Sequence, residues 1–275
     1  MFCLELRRPV LRFRPFDLLF GALLLVGLAL VVSPAPAKSQ SILNVERLQP
    51  RDVQSWHWGI EGALSVSQGN SDYVDVLGGF VVGHRWSRDW IRLFTGLDYR
   101  TEDGDLVDSN RYLHLRYNRW LSEHWQTFHF AQLQASHAEL LQRRTLLGTG
   151  VRRRLVDGAT TLDVGTGAMY ESEDLDPDRD VGDHPVEART WRMANLIVVT
   201  HPLTESVRLI GVAYVQPDFA DFGDLRTLVD ASLRISLTEN VDLTVQNEWR
   251  HDSRPPDGVE KDDFVLSTGF AVSFR

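Results

Sequence analysis

Phe264-Val265-Leu266-Ser267-Thr268-Gly269-Phe270-Ala271-Val272-Ser273-Phe274 reads as two interleaved rows. Phe264, Leu266, Phe270, Val272 and Phe274 fall on one row, and Ser267, Gly269, Ala271 and Ser273 on the other. A β-strand sends successive side chains to opposite faces, so this stretch has one bulky apolar face and one small, mostly polar face. The same period recurs upstream. Val241, Leu243 and Val245 alternate with Asp242, Thr244 and Gln246, and Val229, Leu233 and Ile235 alternate with Asp230, Arg234 and Ser236. Near the front, Trp56, Trp58, Ile60 and Leu64 alternate with His57, Glu61 and Ser65.

Followed along the chain, the pattern predicts strands near 56–67, 73–85, 90–100, 109–120, 125–136, 143–153, 160–170, 188–200, 206–216, 225–237, 241–251 and 264–274. The alternation is less clean near 125–136, 143–153 and 188–200. The count is twelve, and the strands are long enough for a tilted crossing of a bilayer, which takes about 9–11 residues. Connections at 86–89, 121–124, 154–159, 201–205 and 238–240 are short. Those at 68–72, 101–108, 137–142, 171–187, 217–224 and 252–263 are mostly longer. This asymmetry fits an all-β, transmembrane, antiparallel up-and-down β-barrel of about 12 strands with N- and C-termini periplasmic. Three short turns share a phrase, Leu121-Ser122-Glu123, Leu203-Thr204-Glu205 and Leu237-Thr238-Glu239.

Trp56, Trp58, Trp86, Trp90, Trp120 and Trp125 fall at short-turn ends, and Tyr99, Tyr112, Tyr170, Trp191 and Trp249 near the other ends. Two aromatic belts suit the two membrane interfaces. A soluble barrel or sandwich gives the same alternation with the faces reversed, and period alone does not say which face is inside.

The start of the 275-residue chain reads differently. Arg7, Arg8, Arg12 and Arg14 precede an apolar run from Leu18 to Val32, followed by Ala35-Pro36-Ala37. Fifteen apolar residues are short of the roughly 20 of a membrane helix, and the pattern predicts a cleavable signal peptide. The expected organisation is a signal peptide at 1–37, a periplasmic segment at 38–55 and an outer-membrane barrel at 56–275, in the bacterial outer membrane. The only Cys is Cys3, so the remaining chain has no thiol for disulfides or thiolate metal sites. A formal charge of −9 argues against a nucleic-acid partner, and 43% hydrophobic content argues against disorder.

Two stretches carry a family resemblance: Trp58-Gly59-Ile60-Glu61-Gly62-Ala63-Leu64-Ser65 leading into Gly69-Asn70-Ser71-Asp72, and Arg144-Thr145-Leu146-Leu147-Gly148-Thr149-Gly150-Val151 followed by Leu162-Asp163-Val164-Gly165-Thr166-Gly167. They resemble the family of salt-induced outer membrane proteins, a domain family of unknown function. The resemblance implies an outer-membrane β-barrel and brings no catalytic residues and no cofactor. The C-terminal Ser267, Gly269, Val272 and Phe274 resemble the last strand that the outer-membrane assembly machinery reads, with Val272 in place of an aromatic and Arg275 after the Phe.

With apolar faces toward lipid, the opposite faces line the lumen. They supply Arg92, Arg100, Arg116, Arg144, Arg152, Arg192, Arg208, Arg226, Arg234 and Arg250, against Glu61, Asp75, Asp98, Asp163, Asp230, Asp242 and Glu248. These charges either pair across the wall or line a pore. Arg92 and Asp98 are expected within reach of Asp75 and Arg116. The leading expectation is a narrow channel for passive diffusion of small polar or anionic solutes. The alternative is a non-conducting envelope barrel whose acidic outer loops bind divalent cations or lipopolysaccharide. Asp174, Asp176, Asp178 and Asp180 are weak metal candidates, because the EF-hand glycine and glutamate are replaced by Arg179 and Pro185. An outer-membrane hydrolase is the third reading. It would rest on His137 with Glu139, Asp183 with His184, or His251 with Asp252, and no G-x-S-x-G or H-E-x-x-H motif supports it.

Overall fold

Antiparallel pairing of each strand with the next carries the chain around a closed ring. The computed structural model describes residues 42, 44–46, 55–67, 72–178 and 181–274. The expected signal peptide, the Gly69-Asn70-Ser71 stretch, Asp180 and Arg275 lie outside the described residues. The strands are β1 (Ser55–Ser67), β2 (Tyr73–Trp86), β3 (Asp89–Glu102), β4 (Asp105–Trp120), β5 (Trp125–Ser136), β6 (Leu141–Asp157), β7 (Thr161–Leu175), β8 (Glu187–Met193), β9 (Asn195–Pro202), β10 (Val207–Pro217), β11 (Leu225–Ser236), β12 (Val241–Asp252) and β13 (Asp262–Phe274). Ala168 pairs with Met193 on β8, and Gly165 pairs with Leu196 on β9 in the same register. β8 and β9 therefore occupy one position, interrupted only at Ala194, and the ring has twelve strands.

Closure comes from β1 pairing with β13, where Trp58 lies opposite Phe274 and Gly62 opposite Phe270. The two rings of the Trp58–Phe274 pair stack with centroids 4.2 Å apart. A closed ring leaves no strand edge with unpaired backbone groups.

Turn chemistry sets the connections. In the three turns that share a phrase, the hydroxyls of Ser122, Thr204 and Thr238 accept backbone N–H bonds from Trp125, Val207 and Val241. One side-chain-stabilised turn is thus used three times. The loop expected at 101–108 is instead a tight turn, because Glu102 pairs with Asp105. Asp103 and Gly104 lie at φ 52° and 90°, the left-handed pair that a two-residue hairpin turn requires and that Asp-Gly favours.

The alternation resolves with polar side chains inward. Arg92, Asn118, Asp230 and His57 are almost fully buried, while Ile60, Leu97, Leu133, Leu147, Leu266 and Phe270 are exposed on the outside. This is the reverse of a soluble barrel. Two aromatics expected in the belts turn inward: Trp90 is buried beneath Arg92, and Tyr112 packs with Val81 and Phe94.

The glycines of the second family stretch have a packing reason. A Cβ on Gly148 or Gly150 would enter the rings of Phe130 or Phe128, and one on Gly167 would strike the Thr149 carbonyl. Gly150 and Gly167 face each other on β6 and β7, so the two strands form a thin wall against which Phe128 and Phe130 lie.

Candidate functional site

The barrel interior holds the candidate site, and it contains a segment that strand patterning could not place. Ile42, Val45 and Glu46 are buried against inward side chains of the strands, in the stretch 38–55 that the sequence reading treats as a periplasmic segment. Ile42 packs with Phe128, Leu196, Val198, Ile210, Val212, Tyr214 and Leu228. Val45 packs with Val81, Phe94 and Tyr112. Most of the Ile42 patch belongs to β9, β10 and β11, and the Val45 patch to β2, β3 and β4. These walls are on opposite sides of a twelve-strand ring. Three residues of chain reach at most about 10 Å, and Ile42 and Val45, three positions apart, meet these two walls, so the segment forms a crossbar over the lumen. The Asn44 side-chain oxygen accepts the Glu46 N–H at 3.1 Å, which bends the chain and turns the carboxylate toward the wall.

That carboxylate is fully buried among arginines. Glu46 Oε2 accepts from Arg152 at 3.0 Å, and Oε1 lies 3.3 Å from an Arg116 nitrogen. Burial by itself would raise the Glu46 pKa. The charges of Arg152, Arg116 and Arg92 outweigh it and hold the group at about 2. Arg92 donates to Asn118 at 2.8 Å and lies 3.7 Å over the Trp90 ring. Beside this cluster is a cavity of about 40 Å³ bordered by Ile42, Val45, His114, Arg116 and Tyr214. It has room for a few water molecules and no more.

Several of the other lumen candidates fall into ion-paired groups. Near the loop end, Arg226 meets Glu171 at 2.6 Å, Glu173 at 3.1 Å and Asp252 at 2.9 Å. Arg144 holds Glu173 at 2.8 Å, and Arg192 holds Asp224 at 2.9 Å. Elsewhere Arg152 holds Asp163 at 2.6 Å, Arg250 holds Glu248 at 2.5 Å and Arg234 faces Asp242 at 3.8 Å. Asp230 accepts from Ser232 and Gln246. The side chain of Glu61 lies where a Cβ on Gly79 would stand. Arg100, Arg208, Asp75 and Asp98 are half-buried.

One expected grouping is corrected. Arg92 sits in register opposite Arg116 and not opposite an acid, while Asp75 faces Arg100 and Asp98 faces Asn110. Antiparallel summation of residue numbers, not proximity of segments, decides which charges are neighbours.

The weak metal candidates do not converge. Asp174 pairs with Arg143, and Asp176 accepts the Asp178 N–H. Among the described residues no group of three or more His, Cys, Asp or Glu could hold a metal ion. In two of the three expected His–acid neighbours the groups have other partners. Asp252 turns to Arg226, His251 instead meets Asp262 at 2.9 Å, and His184 lies against the Pro185 carbonyl. On β13, Ser267 and Gly269 belong to the inward row, and Val272 and Phe274 to the outward row.

A family described as a protein of unknown function, DUF481, matches residues 60–274. The chain belongs to the DUF481 family. The match covers the second of the stretches that carry the resemblance read from the sequence, and the first from Ile60 onward. No curated protein matches this DUF481 chain. Among solved structures, the NanC porin is similar at 11% identity, over 79% of this chain and 97% of that one, with a TM-score of 0.45. The translocator domain of the autotransporter NalP from Neisseria meningitidis is similar at 8% identity over 79% and 87%, with a TM-score of 0.48. A KdgM porin in complex with disordered oligogalacturonate is similar at 8% over 80% and 99%, with a TM-score of 0.44.

Sequence reasoning misses several residues of the DUF481 interior. Ile42, Val45 and Glu46 precede the first strand and have no period to read. Glu171 and Glu173 count with an outer loop in the sequence, yet β7 runs to Leu175. They continue the odd-numbered inward row of Asp163, Gly165 and Gly167, and that parity is the signal that finds them.

Proposed function

We propose that this DUF481 protein is a bacterial outer-membrane barrel, exported by the leader at 1–37, whose lumen is a narrow, gated passage for small polar or anionic solutes. The outward apolar side chains and the inward charges support the membrane setting, since lipid favours that inversion. Both chain ends then face the periplasm, the short turns lie on that side, and the last strand with Phe274 is read by the assembly machinery. The reading rests above all on the crossbar from Ile42 to Val45. Here arginines line the wall, and the piece of chain that lies against them is outside the strand ladder, so its departure would break no strand pairing.

Conductance across a planar lipid bilayer tests this. Wild-type protein is expected to show rare, brief steps that favour anions, and Glu46→Gln, which weakens the crossbar's hold, longer openings. Silence from both, with each giving the heat-shifted gel mobility of a folded barrel, would replace this reading with a non-conducting envelope barrel.

A further inference from the structure

Glu46 sits against a wall that carries an unfavourable pair of its own: the two arginines facing each other on β3 and β4 have the same charge. We infer that Arg92, Arg116 and Arg152 form a binding site for a small carboxylate solute, and that the chain's own Glu46 fills it in this closed state. The inference deepens the gated-passage reading and rests on it for the site's use, although binding itself is measured without conduction.

The ladder carries the first part of the argument. Arg92 and Arg116 are register partners, and like charges directly opposite each other repel. Neither residue is more than 3% exposed, so water does not screen them. A wall built only for stability would pair each with an acid on a neighbouring strand, as Arg152 is paired with Asp163. What meets Arg116 instead, and Arg152 with it, is a carboxylate on a separate segment.

Unused donors carry the second. Among the described residues, the Arg92 Nε and one of its terminal nitrogens are buried with no hydrogen-bond partner, and so is the Tyr214 hydroxyl. His114, Arg116 and Tyr214 border the small cavity beside the crossbar. A buried donor left unmade is costly, and a solute carboxylate with its own body could reach donors that Glu46, tethered through Val45, does not. Guanidinium groups suit this role because their planar fork matches a carboxylate.

The test is replacement of the missing atoms. Glu46→Ala in the full chain removes a fragment equal to acetate. The midpoint of heat-induced loss of folded gel mobility is followed in sodium acetate, with sodium chloride and inorganic phosphate at the same ionic strength. The variant is expected to gain a saturating rise of roughly 2–4 °C in acetate alone, while wild type stays level. Glu46→Ala combined with Arg116→Gln is expected to lose that rise. If Glu46→Ala fails to fold, Glu46→Gln is read by calorimetric titration with acetate, where binding at least tenfold tighter than in wild type is expected. No rise in acetate, or an equal rise in chloride or phosphate, would overturn the carboxylate site. Neither result depends on whether the bilayer is conducting.

Discussion

Glu173 on β7 and Arg226 on β11 meet at 3.1 Å, although β9 and β10 lie between their strands in the sheet. The bond therefore crosses the interior instead of running along the wall. Arg144 from β6 holds the same Glu173 oxygen at 2.8 Å. Removing one partner of such a group leaves an uncompensated buried charge, at a cost of about 3–5 kcal/mol. Arg226→Ala is expected to lower the stability of the micelle-bound protein, read from urea unfolding, by that amount. Arg119→Ala, whose bond to Asp89 is at the surface, should change stability by under about 1 kcal/mol. Equal losses would mean that the cross-lumen bonds do not brace the barrel.

Acid should loosen the crossbar late. Glu46 is depressed to about 2 in the folded protein, against 4.5 ordinarily. A depressed acid contributes stability that is complete above its unfolded pKa and disappears as the pH falls through the folded one. The stability difference between wild type and Glu46→Gln is expected to be constant above about pH 4.5 and to shrink steadily toward pH 2. A difference that vanished already at about pH 4 would show that the arginines do not hold this carboxylate.

The thin wall of β6 and β7 predicts a steric penalty. Gly148→Ala places a methyl group inside the Phe130 ring position, and such overpacking costs about 1–3 kcal/mol. Gly78→Ala meets nothing within 4 Å and should stay within about 0.5 kcal/mol of wild type. Chemical denaturation of the two variants side by side reads the difference.

Closure predicts a further loss. Phe274→Ala removes the ring stacked on Trp58 across the β1–β13 seam, worth about 0.5–1.5 kcal/mol beyond the area buried. Refolding yield into lipid vesicles, followed by the heat-shifted band, should fall. Phe274→Tyr, which keeps the ring, should restore it. An unchanged yield with alanine would place the seam's stability in the backbone ladder alone.

Strand number, the approximate place of each strand and its two faces are legible in the sequence, because a period of two is a local property of covalent geometry. Strand ends are not, since β7 runs to Leu175 and Glu102 pairs with Asp105. Alternation alone assigns Asp163, Arg226 and Glu248 to the polar faces of their strands. The turn chemistry of Thr204 and Thr238 is local in the same way, since a hydroxyl reaches a backbone N–H three residues on. Which face is inside is not local. Alternation is the same for a soluble barrel and for its inverse, and the direction in which the sheet curves as β1 closes on β13 puts Arg92 inside and Leu266 outside. The pairing of charges is also decided in three dimensions. Arg92 faces Arg116 because of register, Arg226 reaches Glu173 because the barrel is narrow, and Glu46 lies among them because two apolar residues of an aperiodic segment find opposite walls. Contacts between residues far apart in the chain depend on where the ring closes, and no single strand contains that information.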